Sequence, residues 1–506
     1  MTLMGKIRLR LADGLARCPG VLETGNYIRG RKKRFIAVFV ILSYIVGALT
    51  SVQAIMETRT AQGAIAWAVS LNTFPYLAVP AYWIFGRTKF NGYVKKRQDS
   101  LEETNPLVRR LIESLQRDGL TAGDLGVKAA LVERLAKLPA TIGNDIELLR
   151  NGERIFPSIL DGIQAAKDYV LVQFYILRDD ALGRALQQRL LDAARRGVRI
   201  YFLYDEIGSY RLGQAYLDTL RRAGIAVRAF NSTQGRANRF QINFRNHRKI
   251  VVVDGRQAWV GGANVGDEYL GRHPRLTPWV DTMVKVTGPA VQLLQVPFLE
   301  DWYWASGQFL DDLDWSPRIA ASGAASTVLS LPSGPADRFE TCALYFHNAI
   351  QSARHRFWVT SPYFVPDEQI VGALQLAALR GVDVRVVVPE DCDQTLVNLS
   401  GWSYVAPLEK AGVKIYRRTA GFLHHKVMLV DEETSAVGTA NFDNRSFRLN
   451  FEITLEVRDA DFARQVEALF EDDFAASRLA SAAELDARGF LFRLAVRVAR
   501  LMAPVQ

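Results

Sequence analysis

Cysteine is scarce in this chain: three among 506 residues, Cys18, Cys342 and Cys392, far apart from one another. That spacing excludes a disulfide framework and a Cys-rich metal site. Histidine is nearly as rare, at six, and no His/Cys cluster with ligand spacing occurs. A phosphate-binding loop of the form G-x-x-x-x-G-K-[ST] is also missing. Chemistry without a metal or other cofactor is therefore expected. Excess charge is absent from most of the chain as well. The formal net charge is +10, but residues 1–34 hold +7 of it and the stretch after Asp486 holds +4, which leaves −1 for residues 35–486. An enzyme of nucleic acid usually carries basic charge over its body, so no nucleic-acid partner is expected. Basic ends suit an anionic lipid surface instead.

What is present begins with two long uncharged runs. Phe35 to Ile55 is free of charge throughout, and most of its positions are Phe, Ile, Val or Leu. That is long enough to span about 30 Å of hydrocarbon as a helix. After Met56–Thr60 a second uncharged run covers Ala61 to Gly86, interrupted by Asn72, Pro75 and Pro80. Arg29, Arg31, Lys32, Lys33 and Arg34 precede the first run, and Arg87, Lys89, Lys95, Lys96 and Arg97 follow the second. By the positive-inside rule both outer flanks lie in the cytoplasm, and two spans form a hairpin.

Residues 98–150 read as mainly helical connector, with Leu107, Leu111 and Leu115 on one face. From there strand, helix and strand alternate, and the pattern recurs. The run YVLVQFYIL (169–177), the amphipathic 181–197 and the strand 198–205 return as 356–365, 370–381 and 382–389. The fold class is therefore α/β, with two repeats of sheets covered by helices. The expected segments are a basic start at 1–34, two transmembrane helices within 35–86 and a connector over 87–150. Repeats at 151–318 and 319–480 and a basic amphipathic tail at 481–506 complete the division. In that tail Arg493, Arg497 and Arg500 share one face, with Phe490, Leu494 and Leu501 available to lipid.

Each half contains one H-x-K-x-x-x-x-D pattern: His247, Lys249, Asp254, then His424, Lys426, Asp431. Each is followed by G-x-x-N, ending at Asn264 and Asn441, and one constant shift along the chain carries every position of the first copy onto the second. In a strand, residues i and i+2 point to one face, about 6.5–7 Å apart, so His and Lys project together while Arg248 or His425 points away. Together the halves offer two His, two Lys and two Asn: an anion site with a nucleophile and an acid/base, suited to a phosphodiester.

The duplicated motif resembles the hallmark of the phospholipase D superfamily. RNHRKIVVVDG, VGGANVGDEYLG, SPYFVPD and VGTANFDNRSFRLNFE, behind two apolar segments, are similar to the bacterial cardiolipin synthases within it. The resemblance implies two phospholipase D-like repeats packed as a pseudo-twofold pair. It implies transfer between two phosphatidylglycerol molecules at a bacterial inner membrane, giving cardiolipin and glycerol through a phosphohistidine. His247 is then the nucleophile and His424 the acid/base, while Lys249, Lys426, Asn264 and Asn441 hold phosphate oxygens. A carboxylate to orient each imidazole is expected from Asp281 and Glu452, each following the motif histidine of its own half, at unequal spacings. Asp254 and Asp431 complete the motifs and are counted with the catalytic residues, in a structural or supporting role. His273, His347 and His355 read as surface or packing residues. A hydrolytic phospholipase D or another phosphatidyltransferase of the superfamily, and less so a phosphodiester nuclease, are the alternatives that share these motifs.

The charge pattern sets a topology that labelling checks. A cysteine placed in 56–60 should react with an impermeant reagent in intact cells, and one in the body should not. Labelling of the body would overturn the assignment.

Overall fold

A computed structural model describes residues 19–86, 91–123, 127–230, 243–323 and 326–506. It divides into two compact units, one up to residue 88 and one from residue 89 onward. Residues 1–18 of the basic segment, together with Arg87 and Lys89, lie outside the described residues.

In the first unit, α1 (Pro19–Glu57) carries the uncharged run. Phe35, Ile36, Phe39, Ile41, Ile45, Leu49 and Ile55 are all more than half exposed on it. Such exposure excludes a buried core helix and fits a surface facing lipid. Among the described residues, Lys32–Glu57 is the one stretch long and apolar enough to cross a membrane. The second run does not continue as a single helix: α2 (Ala61–Thr73) stops at Phe74, and α3 (Pro75–Ala81) starts anew before a wide turn at Tyr82–Gly86. Proline explains the break. Pro75 has no amide hydrogen and pushes Phe74 out of the helical region (φ −132°, ψ 59°). Gly47 of α1 lies against this second run, where an added Cβ would meet the Leu71 carbonyl oxygen at 2.3 Å.

The second unit opens with α4 (Asn91–Arg117), which buries Leu107, Leu111 and Leu115 along one face, and α5 (Val127–Ala136). The first repeat runs β1 (Thr141–Arg150), α6 (Gly152–Ala165), β2 (Tyr169–Phe174), α7 (Ala181–Arg195), β3 (Arg199–Asp205), α8 (Gln214–Arg222), β4 (Ala226–Phe230), β5 (Ile250–Val253), β6 (Gln257–Gly261), β7 (Thr282–Thr287) and α9 (Ala290–Ser306). The second repeats this order as β8 (Ser326–Ser333), α10 (Thr341–Ser352), β9 (Arg356–Thr360), α11 (Glu368–Leu379), β10 (Asp383–Pro389), α12 (Thr395–Glu409), β11 (Lys414–Arg418), β12 (Val427–Val430), β13 (Thr434–Gly438), β14 (Asn450–Arg458) and α13 (Ala460–Ala475). A short β15 (Ser477–Leu479) and the helix α14 (Phe490–Leu501) close the chain.

The main strands form one sheet, in the order β15-β11-β10-β9-β12-β13-β14-β8-β1-β7-β6-β5-β2-β3-β4. Reading outward from the β1/β8 seam, both repeats have the same order, so the α/β pair is related by a pseudo-twofold. β1 lies inside the 87–150 stretch expected as connector, so the connector ends before residue 141. Its Asn144, Asp145 and Glu147 interrupt the apolar positions and hide the strand from a hydrophobicity reading.

Alternation along the strands builds the core. In β5, Ile250 and Val252 enter a cluster shared by both repeats, whereas Val251 and Val253 face the helices of the first repeat. In β12, Val427 and Leu429 enter that shared cluster and Met428 and Val430 face the helices of the second. With both faces buried, these strands must be continuously apolar.

That run separates the ends of each motif. Extended chain from the motif His to the motif Asp spans roughly 23 Å, so Asp254 and Asp431 sit far from the histidines that begin the motifs. Both adopt positive φ, 53° and 51°. Asp254 accepts the amides of Lys167, Asp168 and Tyr169 at 2.8–2.9 Å. Asp431 accepts those of Arg354, His355 and Arg356 at 2.8–3.1 Å. Their placement among the catalytic residues is therefore corrected: they tie β5 and β12 to the entries of β2 and β9. Asp254→Ala should lower stability by about 2–4 kcal/mol in denaturant titrations, from three lost charge-assisted bonds. The turnover of the folded fraction should persist; a collapse of turnover at unchanged stability would return Asp254 to the chemistry.

Candidate active site

Both motif histidines are delivered by very short strand pairings across the pseudo-twofold. Arg245–Asn246 runs parallel to Asn450–Phe451 at the start of β14, and the His247 amide donates to the Phe451 carbonyl at 2.9 Å. Phe422–Leu423 runs parallel to Trp279–Val280, and the His424 amide donates to the Val280 carbonyl at 2.8 Å. The next residues on the receiving strands are Glu452 and Asp281.

The carboxylates consequently pair in crossed fashion. His247 Nδ1 lies 2.9 Å from Glu452 Oε2, and His424 Nδ1 lies 2.7 Å from Asp281 Oδ2. Both candidate carboxylates thus reach an imidazole, each from the half that does not hold its histidine. Counting along the chain does not reveal a strand borrowed from the other repeat. An Nδ1–H donated to a carboxylate leaves Nε2 as the nitrogen with a free lone pair.

Equivalent positions hold the two carboxylates differently. Thr439 donates its hydroxyl to Glu452 at 2.6 Å, joined by Ser446 at 2.8 Å and Asn450 at 3.0 Å. Its counterpart Gly262 has no side chain, and a Cβ there would come within 2.2 Å of Asp281 Oδ1. Asp281 accepts instead from the Thr282 amide at 2.8 Å. The residues between His and Lys turn away, as strand alternation requires. Arg248 pairs with buried Asp301 at 2.8 Å and also donates to the Glu452 carbonyl at 3.1 Å. His425 pairs with buried Asp473 at 2.8 Å.

The histidines open on a cavity of about 500 Å³ that Tyr175, Asn264, Tyr269, Trp279, Tyr363 and Asn441 also line. Tyr175 meets the His247 ring edge-on at 4.9 Å, and Trp279 lies 5.3 Å from the His424 ring. Lys249 Nζ donates to the His247 carbonyl at 2.6 Å, and Lys426 Nζ is 3.3 Å from His424 Nε2. Asn264 is held by the protein at both ends of its amide, accepting from the Ile176 amide at 3.0 Å and donating to the Tyr269 hydroxyl at 2.7 Å. Asn441 differs: its Oδ1 is buried and has no hydrogen-bond partner among the described residues. His273, expected at the surface or in packing, stands on the cavity wall with Nδ1 accepting the Leu276 amide at 3.0 Å. The aromatic wall was not anticipated. The one available signal was Trp279, which shares a strand face with Asp281.

Burial, aided by the lysine charges, brings His247 down to about 4 against the pull of Glu452. His424 also falls to about 4 through burial and Lys426, against Asp281. Lys426 drops to about 8 because burial outweighs its carboxylate neighbours, and burial depresses Lys249 strongly. Burial pushes Glu452 and Asp281 upward, yet their histidine and lysine neighbours hold both below the usual carboxylate range. At neutral pH the imidazoles are neutral, and the two lysines lie buried among the two carboxylates. A phosphodiester anion bound beside the imidazoles favours a proton on one of them.

Residues 159–302 and 346–474 match the family model described as cardiolipin synthase, PLD-like domain. The chain is 46 % identical over 467 residues to cardiolipin synthase A of Pseudomonas putida (strain GB-1), covering 92 % of this chain and 97 % of that protein. The chain belongs to the PLD-like cardiolipin synthase family. The same protein of Pseudomonas aeruginosa (strain LESB58) is also 46 % identical, over 466 residues. A solved phosphatidylserine synthase of Haemophilus influenzae shares the fold, with a TM-score of 0.54 at 14 % identity, over 75 % of this chain and all of that one. Both motif histidines, both carboxylates and both asparagines fall inside the segments matched by the family model.

Neutral buried imidazoles have a consequence for stability. Between pH 6.5 and 4 the unfolded chain binds protons that the folded chain refuses, so stability falls as pH falls through that window. Each histidine contributes up to about 3 kcal/mol. Urea titrations of the detergent-solubilised protein should show the midpoint dropping from pH 6.5 to 4. A flat midpoint would mean that the imidazoles are already protonated in the fold.

Proposed function

We propose that this cavity transfers a phosphatidyl group from one phosphatidylglycerol to another, forming cardiolipin and releasing glycerol. The observation that carries the reading is the pair of imidazoles, one from each repeat, that share a cavity with Nδ1 committed to a carboxylate. His247 Nε2 attacks phosphorus and the bond to the leaving glycerol oxygen breaks, with a proton supplied by His424 Nε2. The primary hydroxyl of the acceptor lipid then gives its proton back to His424 as its oxygen attacks phosphorus. The P–N bond breaks and the lone pair returns to His247. Glu452 and Asp281 keep both rings in the required tautomer and stabilise whichever carries charge. Lys249, Lys426 and Asn441 supply the positive and donor groups for the non-bridging oxygens, while Asn264, through Tyr269, shapes the wall at His424.

The membrane supplies the substrate, and two features fit the chain to it. The exposed apolar run of α1 spans the bilayer, the broken second run packs beside it, and the basic flanks hold the catalytic body on the cytoplasmic side. On α14, Phe490, Leu491, Leu494, Val498 and Leu501 are exposed beside Arg493 and Arg497, and no acid follows Asp486. That combination suits an anionic leaflet. Arg500 instead stacks on Tyr404 at 5.5 Å.

Acid-quench trapping tests the reading and its division of roles. In phosphatidylglycerol micelles the protein should produce cardiolipin and glycerol; phosphatidic acid as the main product would favour the hydrolytic alternative. With an activated aryl phosphodiester, which needs no proton on its leaving group, His424→Ala should accumulate label on His247. His247→Ala should accumulate none. Label on His424 in the His247→Ala protein would exchange the two roles.

A further inference from the structure

The cavity is not electrically symmetric. Arg245 and Arg445 both stand on its wall. Arg245 precedes His247 by two positions in extended chain, which places it on the same side, about 6.5–7 Å along the backbone. Arg445 comes from the other repeat. Its guanidinium donates to Asn243 Oδ1 at 2.9 Å and to the Val505 carbonyl at 3.1 Å, which hold it at that wall. Burial, together with the neighbouring Arg245 charge, draws Arg445 below the ordinary guanidinium range. Carboxylate charges act on both arginines as well, Asp205 and Glu206 on Arg245 and Asp443 on Arg445, and a guanidinium has donors enough to serve a carboxylate and a phosphate oxygen together.

The pseudo-twofold supplies the control. Under the shift that carries His247 onto His424, Arg245 corresponds to Phe422 and Arg445 to Glu268. Phe422 is fully buried against Trp279 at 4.7 Å between ring centres. Glu268 is paired with Arg178 at 3.2 Å. The His424 end therefore has an apolar ring and a neutral ion pair where the His247 end has two arginines. Nearby Asp205 and Asp443 are engaged with backbone: Asp205 accepts the Gly208 and Asn246 amides at 2.8 Å, and Asp443 the Ser446 amide at 2.7 Å.

We propose that Arg245 and Arg445 form a second phosphate subsite that holds the phosphodiester of the acceptor lipid. This rests on the transfer reading above. Cardiolipin has two phosphates joined through one three-carbon glycerol. While the reacting phosphorus is on His247, the acceptor's own phosphate needs cations one glycerol away, and Arg245 is set at that spacing along the strand. An acceptor without a phosphate, such as water or free glycerol, gains nothing from the subsite. The arginines thus direct the phosphatidyl-enzyme toward a lipid acceptor.

Two rates from one full-length preparation in phosphatidylglycerol micelles test this. Cardiolipin formation uses a phosphate-bearing acceptor; exchange of labelled glycerol into phosphatidylglycerol uses the same phosphohistidine and an acceptor without phosphate. Arg245→Gln should depress cardiolipin formation at least tenfold more than it depresses exchange, with a raised apparent KM for phosphatidylglycerol in the first rate. Arg245→Lys, which keeps the charge, should recover much of the ratio. Arg445→Gln should act in the same direction. Its contacts with Asn243 and Val505 also bear on folding, so Arg245→Gln decides, with exchange reporting that the protein is folded. An unchanged ratio in Arg245→Gln would overturn the subsite. Wild-type protein that exchanges glycerol yet makes no cardiolipin would overturn the transfer reading itself.

Discussion

Everything at this site depends on two parallel strand pairings, each very short, that cross between the repeats. Arg245–Asn246 on β14, and Phe422–Leu423 on Trp279–Val280, carry each motif histidine to a carboxylate of the other half. Neither repeat alone supplies both a motif histidine and the carboxylate that orients it. Each pairing also seats the His amide on a carbonyl of the receiving strand, so the imidazole is fixed through its backbone as well as through Nδ1. The residues flanked by His and Lys strengthen the same seam. Arg248 reaches the carbonyls of Glu452 and Ser333, and His425 approaches the Thr282 hydroxyl at 3.2 Å.

Charge balance follows from that seam. Four ionisable partners, Lys249, Lys426, Glu452 and Asp281, are buried together at one end of the strands. A lone buried charge among them would cost several kcal/mol, and lysine set beside carboxylate offsets that cost. The imidazoles stay neutral because burial and the ammonium groups outweigh the carboxylates. Such a site is poised rather than charged: arrival of one phosphodiester anion makes protonation of one histidine favourable. The proton needed for the leaving group is thus coupled to substrate binding.

Symmetry accounts for the shared chemistry, and its breaking accounts for direction. The repeats supply matching histidines, lysines and asparagines. They differ where Thr439 faces Gly262, where Arg245 faces Phe422, and where Arg445 faces Glu268. One end of the cavity holds the two arginines, while the other is aromatic, walled by Tyr269 and Trp279 with Phe422 packed behind Trp279. A two-step transfer needs two unlike ends, since one phosphorus centre meets a leaving group and then a different hydroxyl.

The amino-acid order by itself determined the α/β class, the duplication, the two motifs and the long apolar run. Each of these is written in local periodicity or in a fixed offset. Continuous apolar strands such as YVLVQF are legible because both of their faces are buried. β1 was not legible, because polar residues such as Asn144 interrupt its pattern although it lies at the centre of the sheet. The interruption of the second run was legible in Pro75, and the structure sets it at the preceding Phe74. Tertiary structure alone decided which carboxylate serves which histidine, and that Asp254 and Asp431 cap backbone amides roughly 23 Å of strand away from the chemistry. It also decided that Arg245 and Arg445 line one cavity. Sequence spacing measures distance along one chain, whereas these contacts cross between two repeats, and the packing of one sheet against its copy sets them.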